Sequence, residues 1–144
     1  MMKNPCDASL YMNEINSGFI QRYEEIIEKD PTSKIFAPLC EAYRKSGELE
    51  RALKIAEQGV HFHPNFASGL VAYAKVLIEL GKKFEALKNL QKATQLSPEN
   101  ILGQTLLADL ALDLRMPKDA LKAFKMVLFL NPQDQRAINA VKKL

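Results

Sequence analysis

The chain has no tryptophan and only two cysteines and six glycines among its 144 residues. Cys6 and Cys40 are too few for a disulfide framework and form neither a CxxC pair nor a zinc-ligand spacing, so both are expected as reduced thiols. Long hydrophobic runs are missing: the longest, such as Leu70–Ala74 and Met126–Leu130, fall far short of the roughly 20 residues that span a bilayer. The first residues, Met1–Asp7, contain no apolar core of a secretory signal, and a cytoplasmic location is the expectation. Charge of one sign is also scarce. Twenty Lys and Arg face 17 Asp and Glu, with 8 basic and 10 acidic groups in the first half against 12 and 7 in the second. Nucleic-acid binders carry a denser basic patch, so no nucleic acid is expected as a partner. What remains, 47% hydrophobic and 26% charged, is ordinary for one globular domain and excludes wholesale disorder.

The prolines that are present are regularly placed. Pro31, Pro64, Pro98 and Pro132 lie 33, 34 and 34 residues apart, Gly47 and Gly81 repeat at 34, and so do Ala52, Ala86 and Ala120. Three residue types in one period mark a repeat protein. Within each period the apolar pattern is helical. Phe36, Leu39, Cys40 and Tyr43 share one helix face, as do Leu70, Tyr73, Ala74 and Leu77, and then Gln104, Leu107, Ala108 and Ala111. A second stripe follows each turn: Leu53, Ala56 and Val60; Leu87, Leu90 and Ala93; Leu121, Phe124 and Val127. Gly47 and Gly81 suit left-handed C-caps between the two helices. Arg115 stands at the third such position, where that conformation costs a residue with a side chain about 1–2 kcal/mol. Pro38, inside the first of these helices, predicts a kink or a delayed start that leaves the Lys34 carbonyl facing water or a ligand.

These residues resemble the tetratricopeptide repeat (TPR) family. The resemblance is carried by Leu39-Cys40, Tyr43, Gly47, Ala52, Ala56 and Pro64, by Tyr73-Ala74, Gly81, Ala86, Leu90, Ala93 and Pro98, and by Leu107-Ala108, Ala111, Ala120, Phe124 and Pro132. The tryptophan frequent near the start of that repeat is replaced by Phe36, Leu70 and Gln104, and Cys40 takes its small-residue slot. The resemblance implies an all-α fold, a right-handed α-solenoid of antiparallel helix pairs with about three full repeats plus partial terminal ones. The expected divisions are an N-terminal segment 1–15, frayed or partly helical, and a repeat domain 16–144. The latter comprises a capping helix 16–30, repeats 33–66, 67–100 and 101–134, and a terminal helix 135–144.

The resemblance further implies that first helices line a concave groove. The helical wheel places Lys34, Glu41 and Arg44 on that side in the first repeat, and Val71, Lys75 and Ile78 in the second. The third supplies Leu102, Thr105, Leu106, Asp109, Leu112 and Asp113. Val71, Ile78 and Leu106 are expected to be exposed there, whereas Leu102 and Leu112 are either exposed or covered by neighbouring helices. Apolar anchors among charges suit a peptide or an amphipathic helix. Family members that grip the carboxylate tails of heat-shock chaperones place Lys, Asn and Arg at slots held here by Ala37, Glu41, Ala72, Leu102 and Leu106, which supply no anion clamp.

No nucleophile elbow, phosphate loop or metal signature is present, and His61 and His63 point apart on a helix. The expected function is therefore a non-catalytic adaptor or scaffold without cofactor or metal, binding another protein. The alternative is self-assembly as a homodimer through exposed apolar groove residues or open stack ends. Lysines on second helices, Lys88 and Lys122 among them, are expected on a solvated outer face.

Overall fold

The 34-residue period becomes a stack of helix pairs. A computed structural model describes residues 8–144, with side chains from residue 17 on. The described residues form eight helices: α1 (Ala8–Lys29), α2 (Phe36–Lys45), α3 (Leu49–Phe62), α4 (Ala67–Glu79), α5 (Lys83–Leu96), α6 (Ile101–Asp113), α7 (Pro117–Leu130) and α8 (Gln135–Lys143). Each helix packs on the next in sequence, and α2 also packs on α4. The pairs α2/α3, α4/α5 and α6/α7 are the three repeats, and the fold is an all-α solenoid. The first helix begins at Ala8 and is longer than the 16–30 cap read from the sequence. Residues 1–7, with Cys6, lie outside the described residues.

The turn within each repeat is the same hydrogen-bonded motif used three times. Gly47 and Gly81 both have φ of +80°, and Arg115 has φ of +59°. At each turn the left-handed residue donates its N–H to a carbonyl three residues back, and the next N–H donates to one five back. The pairs are Gly47 to Arg44 and Glu48 to Tyr43, Gly81 to Ile78 and Lys82 to Leu77, Arg115 to Leu112 and Met116 to Ala111. The third repeat thus keeps the turn at the cost of backbone strain. Arg115→Gly should raise stability by about 1 kcal/mol, read as an upward shift of the thermal midpoint; an unchanged midpoint would show that the strain is relieved elsewhere.

Helix α2 starts late, as Pro38 requires. Ile35 is its N-cap residue, with helical φ and ψ of −63° and −10°, and Pro38 sits in the first turn, where a missing N–H costs little. The Lys34 carbonyl is not left to solvent, contrary to the sequence expectation: it accepts from the Ala37 N–H at 3.3 Å, a tight turn that precedes the helix.

Alanines and one cysteine let the helices approach. Cys40, Ala52, Ala56, Ala74, Ala86, Ala108, Ala111 and Ala120 are all fully buried. Burial pushes the Cys40 thiol up to about 12, with Glu41 adding to the rise against Arg44 and Lys75, so the side chain is a small hydrophobe rather than a nucleophile. Three clusters form the core, centred on Phe36 and Leu39, on Leu70, Leu77 and Leu90, and on Phe124 and Val127.

Candidate protein-binding face

The first helices α2, α4, α6 and α8 line one side of the stack. Where α2 and α4 meet, four charged groups converge. The Arg44 guanidinium donates to Glu41 Oε2 at 3.0 Å and to Glu79 Oε1 at 2.8 Å, while Lys75 Nζ donates to the same Glu41 oxygen at 3.2 Å. Glu41 is therefore the hub of a network that ties two successive repeats together. Its other oxygen and Arg44 Nε are buried without a hydrogen-bond partner, which offsets part of the gain.

Burial alone would push the Glu41 carboxyl up. The Arg44 hydrogen bond and the Lys75 and Arg44 charges outweigh it and hold the carboxyl below its ordinary value of 4.5. The link to stability follows from that sign. A depressed folded-state pKa contributes stability that is fully present above the ordinary carboxylate range and is lost as pH falls through the lowered value. Acid titration of the unfolding midpoint should thus show a drop below pH 4.5 that Glu41→Gln flattens. A parallel drop in the variant would remove Glu41 as its source.

Beside this network lies a cleft of about 290 Å³, walled by Ala37, Pro38, Val71, Ala72 and Leu102 and edged by Glu41, Lys75, Ser68 and Asn100. A second cleft, of about 340 Å³, opens further along the same side between α6 and α8. Leu112, Phe124, Ala140 and Leu144 form its apolar part, and Asp109, Arg136, Asn139 and Lys143 its polar part. Arg136 Nη2 donates to Asp109 Oδ1 at 2.7 Å, a bridge from α8 to α6 that parallels the one from α2 to α4.

The sequence-expected residues do not all gather here. Glu41, Arg44 and Lys75 converge, and Leu102 and Leu112 are open, with exposures of 45% and 42%. Val71, expected in the open, is only 5% exposed and forms cleft wall, because α2 lies directly against α4. Ile78 and Leu106 are half-buried against the central core cluster. Lys34 turns away to the Phe66 ring, 5.1 Å from its centroid. Asp113 pairs with Lys83 of α5, and the Thr105 hydroxyl donates to the Ile101 carbonyl. Phe124, Lys143 and Leu144 line the second cleft from outside the groove positions that the sequence predicts. Phe124 belongs to a second helix, and Lys143 lies one turn beyond Asn139.

The slots that would grip a chaperone carboxylate stay without cations: Ala37 and Ala72 are buried wall, and Glu41 puts an anion among them. His63 Nε2 meets the Thr32 carbonyl, and its ring stacks on Phe36. Among the described residues no group of three or more His, Cys, Asp or Glu is placed to hold a metal, and no helix is long and apolar enough to cross a membrane.

No family model matches the chain. Over 80 residues, 55% of its length, it is 31% identical to the TPR repeat-containing protein YpiA of Bacillus subtilis, and it spans 19% of that protein's length. The solved structure of MamA superposes with a TM-score of 0.79 at 17% identity, covering 98% of this chain and 82% of that one. YrrB, described as a TPR protein with an unusual peptide-binding site, superposes with a TM-score of 0.76 at 22% identity, covering 83% of this chain and 62% of that one. The thrice-used turn, the buried small residues and the 34-residue helix pairs agree with these likenesses: the chain has the fold of the tetratricopeptide repeat proteins and is similar to one of them in sequence over 55% of its length.

Proposed function

We propose that the chain is a non-catalytic interaction module, a cytoplasmic adaptor or scaffold whose repeat domain, residues 16–144, receives a peptide, an amphipathic helix or a segment of a folded partner in the concave groove. The observation that carries this reading is the pair of clefts on one face. Each offers an open leucine, Leu102 or Leu112, beside fixed charges. Apolar anchors would enter the clefts, and the Glu41–Lys75 and Asp109–Arg136 pairs would set register by exchanging partners with incoming charges. The likeness to a TPR protein with a described peptide-binding site supports the choice of partner class. No cofactor, metal or nucleic acid enters this reading.

The test is retention of a partner from source lysate by wild type and by Leu102→Glu/Leu112→Glu. Both leucines are exposed, so helicity should be unchanged while retention falls at least tenfold. Equal retention would move the site off this face. A monomer–dimer equilibrium in sedimentation that the same variant abolishes would establish self-assembly through the groove instead.

A further inference from the structure

A third cleft, of about 260 Å³, lies away from the groove at the seam between the second and third repeats, opening between the second helices α5 and α7. Its origin is visible in the repeat register. In each first helix, two core positions one turn apart recur at the 34-residue period and pack against the neighbouring helices. They are Phe36 and Leu39, then Leu70 and Tyr73, then Gln104 and Leu107. One aromatic ring is present in each of the first two pairs and none in the third.

The lining changes with it. Thr94 replaces the equivalent Val60, and Gln91 and Asp119 replace Glu57 and Glu85. Those two glutamates lie near the Tyr73 phenol, and burial with their negative charge raises its pKa. The third seam therefore keeps polar groups around the place of a phenol and lacks the phenol.

Gln104 is 6% exposed, yet it lines this cleft. One N–H of its amide nitrogen donates to the Pro98 carbonyl at 3.1 Å, which fixes the amide and leaves Oε1 available as an acceptor. The Thr94 hydroxyl donates back to the Leu90 carbonyl at 2.9 Å, so it does not satisfy that oxygen. A purely apolar occupant would strip water from Gln104 Oε1 and leave it unpaired. Asp119 and Lys122 sit together at the rim, so the cleft favours neither an anion nor a cation.

We propose that this cleft is a second binding site, which receives a tyrosine side chain presented by a partner polypeptide. The ring lies against Leu107, Ala123 and Met126, and the hydroxyl donates to Gln104 Oε1.

The probe is N-acetyl-tyrosinamide, titrated into the full chain and followed by amide chemical shifts. Saturable shifts at Gln91, Thr94, Gln104 and Asp119 are expected, with N-acetyl-phenylalaninamide binding about threefold to tenfold more weakly for want of one hydrogen bond. Leu107→Tyr, which copies Tyr73, fills the cleft from within and should weaken binding at least tenfold at unchanged helicity. Gln104→Leu, which copies Leu70, should abolish the preference for the tyrosine probe and carries the test if the first variant fails to fold. Absence of shifts at these residues, undiminished binding by a folded Leu107→Tyr, or equal affinity of the two probes in wild type would overturn the proposal.

Discussion

Replacing Phe36 by alanine should lower the unfolding free energy by about 3–5 kcal/mol, the largest loss expected from any single truncation in this chain. The side chain is 1% exposed and is the largest among the fully buried ones. It packs edge-on against Phe66 and stacks on His63. Two glycines make room for it. A Cβ placed on Gly59 would overlap the body of the Phe36 ring, and one on Gly69 would lie 2.5 Å from its Cζ. Gly59→Ala should therefore destabilise despite alanine's better helix propensity, because a ring this buried has nowhere to move. The second repeat shows the remedy: its equivalent pair is Leu70 and Ala93. The double variant Phe36→Leu/Gly59→Ala should cost less than the sum of its parts, with a coupling of about 1–3 kcal/mol in denaturant unfolding. Strict additivity would mean that the two positions do not share one volume.

Truncation of Leu90 to alanine is expected to cost about 2–5 kcal/mol, and the manner of the loss is as informative as its size. Leu90 is fully buried in the central cluster, to which α4, α5 and α6 all contribute. A solenoid is held by neighbouring interfaces only, so damage in its middle weakens the seams on both sides at once. Hydrogen exchange should then rise throughout α4–α7. Val141→Ala, at the half-buried margin of the last cluster, should instead raise exchange in α8 alone. Fraying confined to α5, with α4, α6 and α7 still protected, would contradict a loss transmitted through the adjoining interfaces.

Much of the fold was legible because its determinants are short-range and repeated. A proline, a glycine and an alanine at 34-residue spacing each report a local requirement, and Arg115 fell at the left-handed position that the period demanded. The late start of α2 followed from Pro38 for the same reason. The Lys34 carbonyl did not, because a single turn bond to Ala37 decides it. The face was harder to read than the fold. A helical wheel places Val71 towards the groove, but only the closeness of α2 to α4 decides whether it is open or covered. Leu102 and Leu112 lie near the ends of α6, where no periodicity determines coverage. The departure at Gln104 was visible as a polar residue on an apolar stripe. Its consequence was not, since an empty volume is a sum over three helices that meet only after folding.

The matched positions within each helix pair bear on how such a chain finds its register. Thirty-four residues of displacement would bring similar helices into similar surroundings, so a periodic chain invites pairing of the wrong copies. Here each helix pair has its own fit: Phe36 faces Gly59, Leu70 corresponds to Ala93, and Gln104 to Val127. A slipped α2 would bring the Phe36 ring against the Cβ of Ala93 or the branched side chain of Val127, and a slipped α4 would leave Leu70 over a gap at Gly59. The differences among the copies thus discriminate against the out-of-register assemblies that their likeness would permit.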